Sequence, residues 1–180
     1  MNKKILIKTA GEKIIPVIWT GKEKNIDYNI LLSKTGASVK FLMLLLGSKD
    51  STVKININII HQKPHTVSKV IVKGVLKDDC NIDFNGLVKI DKGAKLSNAW
   101  LSANLMLLSK QAKGRAVPAL EILENDVKAG HATTVGKVNE NEIFYLMSRG
   151  LSKEKAKKII INGFLSGFLK EFPKSQKYAI

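Results

Sequence analysis

The stretch Val53-Lys54-Ile55-Asn56-Ile57-Asn58-Ile59 alternates a β-branched apolar residue with lysine or asparagine at every step. A period of two sends successive side chains to opposite faces of a strand, so one face is buried and the other wetted. The same reading extends outward. Residues 69–76 and Asn81–Ile90 repeat it, with Ile82 and Phe84 set against Asn81 and Asp83, and Leu120 and Ile122 flank Glu121. Residues 41–46 differ, because all six are apolar. They fit a strand buried on both faces and fall far short of the roughly 20 residues a membrane span needs.

Turn signals separate these runs: Thr35-Gly36, Gly47-Ser48-Lys49-Asp50, Lys77-Asp78-Asp79, Asp91-Lys92-Gly93 and Leu123-Glu124-Asn125-Asp126. Two corners echo each other, Lys34-Thr35-Gly36-Ala37 and Asp91-Lys92-Gly93-Ala94. Short strands with Gly-Ala corners fit a β-solenoid. Short alternating strands at regular spacing also fit a sandwich, and periodicity leaves both open.

The last quarter changes period. Asn139, with Glu142 three residues on, starts a helix. Ile143, Phe144, Leu146 and Met147 follow at helical spacing, and Phe144 and Met147 are expected in the core. Gly150 stands where a left-handed residue closes a helix. Ser152 caps a second helix, with apolar positions at Ala156, Ile159, Ile160, Phe164 and Phe168, and Pro173 ends it. Gly163 and Gly167 share a face of that helix. Each costs roughly 1 kcal/mol relative to alanine, so a second backbone is expected to approach there.

The 180 residues carry a formal net charge of +15. Such a field favours polyanions. Yet Arg115 and Arg149 are the two arginines, and the lysines are scattered among apolar residues as on a solvated strand face. Lysine is a hydrated point charge without arginine's fork for bases and phosphates. The single cysteine, Cys80, excludes an intrachain disulfide framework and is expected to be a small buried hydrophobe. No signal-peptide core follows Met1, and the expected location is the cytoplasm, off the membrane. No nucleotide-binding glycine loop and no G-x-S-x-G elbow occurs, so the chain is not expected to be an enzyme.

The blocks Leu120-Glu121-Ile122, Asn125-Asp126-Val127-Lys128 and Gly130-His131-Ala132-Thr133-Thr134-Val135-Gly136 run in order toward the carboxyl end. Ile143-Phe144-Tyr145-Leu146-Met147-Ser148-Arg149-Gly150-Leu151 and Asn162-Gly163-Phe164 follow. With His65-Thr66-Val67-Ser68 and Phe84-Asn85-Gly86-Leu87-Val88-Lys89-Ile90 upstream, the set resembles the SufB/SufD family of iron–sulfur cluster assembly scaffolds, in a SufD-like form. The resemblance spans about Ile60 to Phe168. It implies a right-handed parallel β-helix over residues 1–137 and a small helical domain over 138–180. It also implies a non-catalytic scaffold that docks a SufC-like ABC ATPase on its C-terminal helices. Pairing with a SufB-like subunit, or with itself as a homodimer, is implied too. Family members usually carry an N-terminal helical domain as well, so this chain is expected to be a minimal form.

Residue by residue, the resemblance places His131 at the subunit junction, in contact with a nascent Fe–S cluster; no firmly bound cofactor is implied. Ala129 departs from the cysteine that SufD-type members often place two residues before that histidine, so thiolates for a transient cluster must come from a partner. Phe144, Tyr145, Arg149, Gly150 and Leu151 fall in the ATPase-docking block. His61 and His65, four apart, are expected on one strand face as structural histidines. Trp19 and Trp100 are expected in core or edge packing. Two other classes compete: a basic β-solenoid binding nucleic acid or another polyanion, and a β-helix carbohydrate enzyme, which needs a carboxylate cluster.

Overall fold

A computed structural model describes residues 1–173; residues 174–180, the end of the expected tail region, lie outside the described residues. The chain opens with β1 (Asn2–Ile7), β2 (Gly11–Trp19), β3 (Asn25–Leu32), β4 (Ala37–Gly47) and β5 (Thr52–His61). It continues with β6 (Val67–Leu76), β7 (Asn81–Ile90), β8 (Asn98–Leu107), β9 (Lys113–Ile122) and β10 (Lys128–Lys137). Odd strands stack in the order β1-β3-β5-β7-β9 (sheet A) and even strands in the order β10-β8-β6-β4-β2 (sheet B). Every pairing is parallel. Each coil of this solenoid therefore gives one strand to each sheet, and the sandwich alternative falls away because every strand pairs in parallel with the strand two along the chain, whereas sandwich sheets are antiparallel.

Inward side chains from both sheets form one core. Ile30, Ile59 and Val88 stack in register, each fully buried, and Tyr28 meets Phe41 edge-on at 5.0 Å from across the lumen. Cys80 joins this core, as expected, and burial raises its thiol pKa. It leaves no room opposite: a Cβ on Gly47 would sit 2.1 Å from Cys80 Sγ.

Most corners carry a residue with positive φ; those after β8 and β9 do not. Gly36, His65 and Leu96 serve the corner running from sheet A to sheet B, with φ of 73°, 57° and 58°. His65 is therefore an exposed turn residue, whereas His61 ends β5 fully buried, so the expected shared face is corrected. His61 Nδ1 lies 2.8 Å from Thr66 Oγ1 and Nε2 lies 2.8 Å from Ser68 Oγ. Thr66 has one hydroxyl hydrogen, which it donates to Lys63 O at 3.0 Å. It must therefore accept from His61 Nδ1–H, which leaves Nε2 accepting from Ser68. Burial pushes the His61 pKa down to about 4, in keeping with this neutral tautomer.

Prolines mark the ends of the stack. Lys113 N and Leu123 N donate to the carbonyls of Cys80 and Ile90, so odd-numbered amides of β9 face β7. Pro118 then turns its nitrogen to the free edge, where it forfeits no ladder bond. Gly11 N donates to Gly36 O, and by the same parity Pro16 faces the free edge of β2.

Helix α1 (Glu140–Ser148) and helix α2 (Lys153–Lys170) follow β10. The Asn139 side chain accepts from Asn141 N and Ser152 accepts from Lys155 N, so both expected caps form. Helix α2 lies across the outer face of sheet B, packing Leu165, Phe168 and the following Phe172 on Leu42, Leu44 and Val75. This explains the uninterrupted apolar run at 41–46: Phe41, Met43 and Leu45 fill the core, while Leu42 and Leu44 lie under the helix.

Candidate functional site

Two surfaces collect the residues singled out from sequence. The first is the carboxyl end of the solenoid. Lys128 N donates to Ser97 O and Val138 N to Leu107 O, so even-numbered amides of β10 face β8. Ala129, His131, Thr133, Val135 and Lys137 thus direct their amides to the free edge, uninterrupted by proline. Register places His131 over Leu101, itself over Val70 and Phe41, so its side chain ends a column whose inner members are fully buried. At this last layer the column is open, and His131 is exposed. Ala129 occupies the neighbouring inward position, half-buried against the core. A neutral imidazole at an open mouth can ligate a metal or cluster, but Ala129 offers no thiolate beside it. Among the described residues no group of three or more His, Cys, Asp or Glu is arranged to hold a metal ion.

The second surface is α1. Ile143 is buried and Leu146 half-buried against Ala156 and Ile160 of α2 and Met106 of β8. The opposite side presents Phe144 at 72% and Tyr145 at 57% exposure, with Met147 at 42%. Phe144 and Met147 are thus corrected from core to surface. Both pairs, Ile143/Leu146 and Phe144/Met147, have helical spacing, and the position of β8 and α2 decides which turns inward. The Arg149 guanidinium stands 5.3 Å from the Tyr145 ring centre, one helical turn away. Gly150, at φ 89°, donates to Met147 O at 2.9 Å while Leu151 N donates to Leu146 O at 3.3 Å. These two bonds close the helix as a Schellman motif. Gly150 therefore shapes the end of the surface, and Leu151 is half-buried behind it.

Sequence reasoning missed what holds this surface in place. Lys73 Nζ donates to Phe164 O and stands 4.2 Å from the Phe164 ring centre, and burial beneath α2 lowers its pKa. Glu171 takes Lys40 Nζ at 2.6 Å and Lys69 Nζ at 3.7 Å. A lysine at an outward strand position gives no sign in sequence that a helix lies above it. The expected backbone approach at Gly163 and Gly167 is absent: both are exposed, and a Cβ on either meets nothing within 4 Å. The packed face of α2 is instead rotated toward Ile161, Leu165 and Leu169.

Residues 5–164 match the family model described as SUF system FeS cluster assembly, SufBD core domain. The chain is 39% identical over 130 residues to the iron–sulfur cluster assembly protein SufD of Bacillus subtilis, covering 72% of this chain and 30% of that protein. It is 32% identical over 144 residues to an iron–sulfur cluster assembly SufBD family protein of Mycobacterium bovis, covering 80% of this chain and 17% of the relative. A SufBD family protein of Staphylococcus saprophyticus is 30% identical over 152 residues, covering 84% and 32%. The chain thus spans about a third or less of the length of these relatives.

Proposed function

The chain belongs to the SufBD family, and from that premise we propose that it acts in SUF-type iron–sulfur cluster assembly as a non-catalytic scaffold. In this reading α1 docks a SufC-like ABC ATPase. The observation that carries it is the exposed Phe144–Tyr145–Met147 surface on a helix fixed from behind. Aromatic residues and arginine dominate binding energy at protein interfaces, and Tyr145 and Arg149 are already stacked, so little order is lost on docking. The Lys73 and Glu171 contacts join α2 to sheet B, which supports a force path from the ATPase to the solenoid.

The free edge of β10 suits pairing with a SufB-like subunit or a second copy, its outward amides completing a ladder across the junction. His131 would then face the junction and meet a cluster under construction as cargo, while the partner supplies thiolates. The reading includes a cytoplasmic location. Among the described residues no helix is long and apolar enough to cross a membrane.

The test is capture of the chain on an immobilised SufC-like ATPase. Wild type is expected to be retained, and Phe144→Ala with Tyr145→Ala to bind more than about tenfold more weakly at unchanged helicity. His131→Ala is expected to bind the ATPase as wild type and to lower the cluster absorbance of the reconstituted pair. Loss of nothing in the double variant, or no retention of wild type where a SufB-like subunit is retained, removes the docking proposal.

A further inference from the structure

Beside the A-to-B corner, sheet B presents Val67, Lys69, Asn98, Trp100 and Lys128 outward, all exposed. Trp100, at 45% exposure, stands in register between Lys69 and Gly130. A Cβ built on Gly130 would lie 2.7 Å from Trp100 Cζ3. The six-membered ring thus fills the space of a missing side chain, braced on the β10 backbone with its remaining surface in solvent. A braced, exposed indole is a stacking platform, and every nucleobase has a π face to place on it.

The adjoining corner carries cations in a column. Ser33 N donates to Ile7 O, Gln62 N to Leu32 O and Asp91 N to His61 O, so the turns stack residue on residue. The next residue is a lysine in three successive turns, Lys34, Lys63 and Lys92, repeating at the strand spacing of about 4.8 Å, and Glu124 takes that position in the turn after β9, where Leu123 N donates to Ile90 O. All three are exposed, and among the described residues none has a carboxylate within 4.0 Å. Acids also lie at this corner, Glu124 beside Lys92 among them, and most have partners of their own. Asp91 lies 4.0 Å from Lys89, Glu124 accepts from Gly93 N at 2.9 Å, and Glu171 is held by Lys40 and Lys69. Asp126 remains exposed. Lysines in a row neutralise a phosphate backbone without reading bases, and a duplex would hide the base faces the indole needs.

We propose that this corner binds single-stranded nucleic acid without sequence preference, one base stacking on Trp100 while the phosphates follow Lys34, Lys63 and Lys92. The surface is separate from α1 and the proposal does not depend on ATPase docking. The chain has two tryptophans, and Trp19 is 1% exposed, so a change in indole emission on adding oligothymidylate reports Trp100. The expected result is saturable quenching at low salt, with a log–log salt slope of about −2 for three neutralised phosphates. Trp100→Leu is expected to bind labelled oligothymidylate about tenfold more weakly at the same slope. Lys63→Gln with Lys92→Gln is expected to flatten the slope to about −0.7. Absence of quenching at low salt overturns the proposal. So does undiminished binding by Trp100→Leu, and so does polyglutamate binding with the same dependence on Trp100, which would assign the corner to an acidic protein. ATPase capture is read separately, so either reading can fail alone.

Discussion

The two outer faces of the solenoid are built from the same coils and solve opposite problems. Sheet A faces water. Its outward side chains form a polar ladder in which Asn56 donates to Asp27 at 2.7 Å, Asn58 to Asn29 at 2.8 Å and Arg115 to Asp83 at 2.6 Å. Sheet B is roofed by α2, and the outward Leu42 and Leu44 of β4 are fully buried. A strand in sheet A therefore alternates, whereas β4 does not. A break in alternation within a solenoid marks the place where another element lies on top.

Putting a charge on each face should show the largest difference. Leu44→Glu buries an unpaired carboxylate beneath α2 and is expected to cost about 4 kcal/mol in urea unfolding. It should also weaken ATPase capture by loosening the base of α1. Asn58→Glu on sheet A loses one hydrogen bond and is expected to cost about 1 kcal/mol. Equal costs would mean that α2 does not shield sheet B.

The interior shared by both faces supplies the next test. The His61 pKa falls from 6.5 to about 4 on folding. The neutral form is favoured by the fold, so its stabilisation is full above pH 6.5 and is lost as pH falls toward 4. The total is about 3 kcal/mol, and His61→Gln should show a correspondingly smaller acid-side loss. An identical loss in that variant would assign the effect to carboxylates.

Smaller effects should sharpen the contrast. Burial alone would raise the Glu171 pKa, but Lys40 and Lys69 outweigh it and hold it below the usual range. Its contribution is thus present above pH 4.5 and lost on acidification, and Glu171→Gln is expected to cost up to about 1 kcal/mol. Leu96→Gly lies at the corner between the faces, at φ 58°. Relief of the left-handed conformation is expected to stabilise by about 0.5 kcal/mol, visible as a small rise in the urea midpoint.

Much of the strand pattern was legible because β5 and β7 expose one face to water, which leaves the period of two intact. The choice between solenoid and sandwich was not legible from periodicity. Each strand pairs with one about 29 residues away, as Asn29 does with Asn58, and local alternation carries no record of that partner. The family resemblance supplied it. Helix faces were the least legible. In α1 two apolar pairs competed for the inside, and in α2 the glycines marked a wetted face. Trp100 was hidden for a related reason: Ala99 and Leu101 are apolar too, so hydropathy alone could not tell its side from theirs.

The two strand prolines also bear on the edges that this stack of coils presents. A head-to-tail filament would set β9 on β1 and β10 on β2, so each joint would contain Pro118 in one sheet and Pro16 in the other. Runaway polymerisation meets a missing donor on both sides. Two carboxyl ends brought together through β10 meet none. The ring nitrogens thus take one donor out of each edge at which these coils could be stacked head to tail.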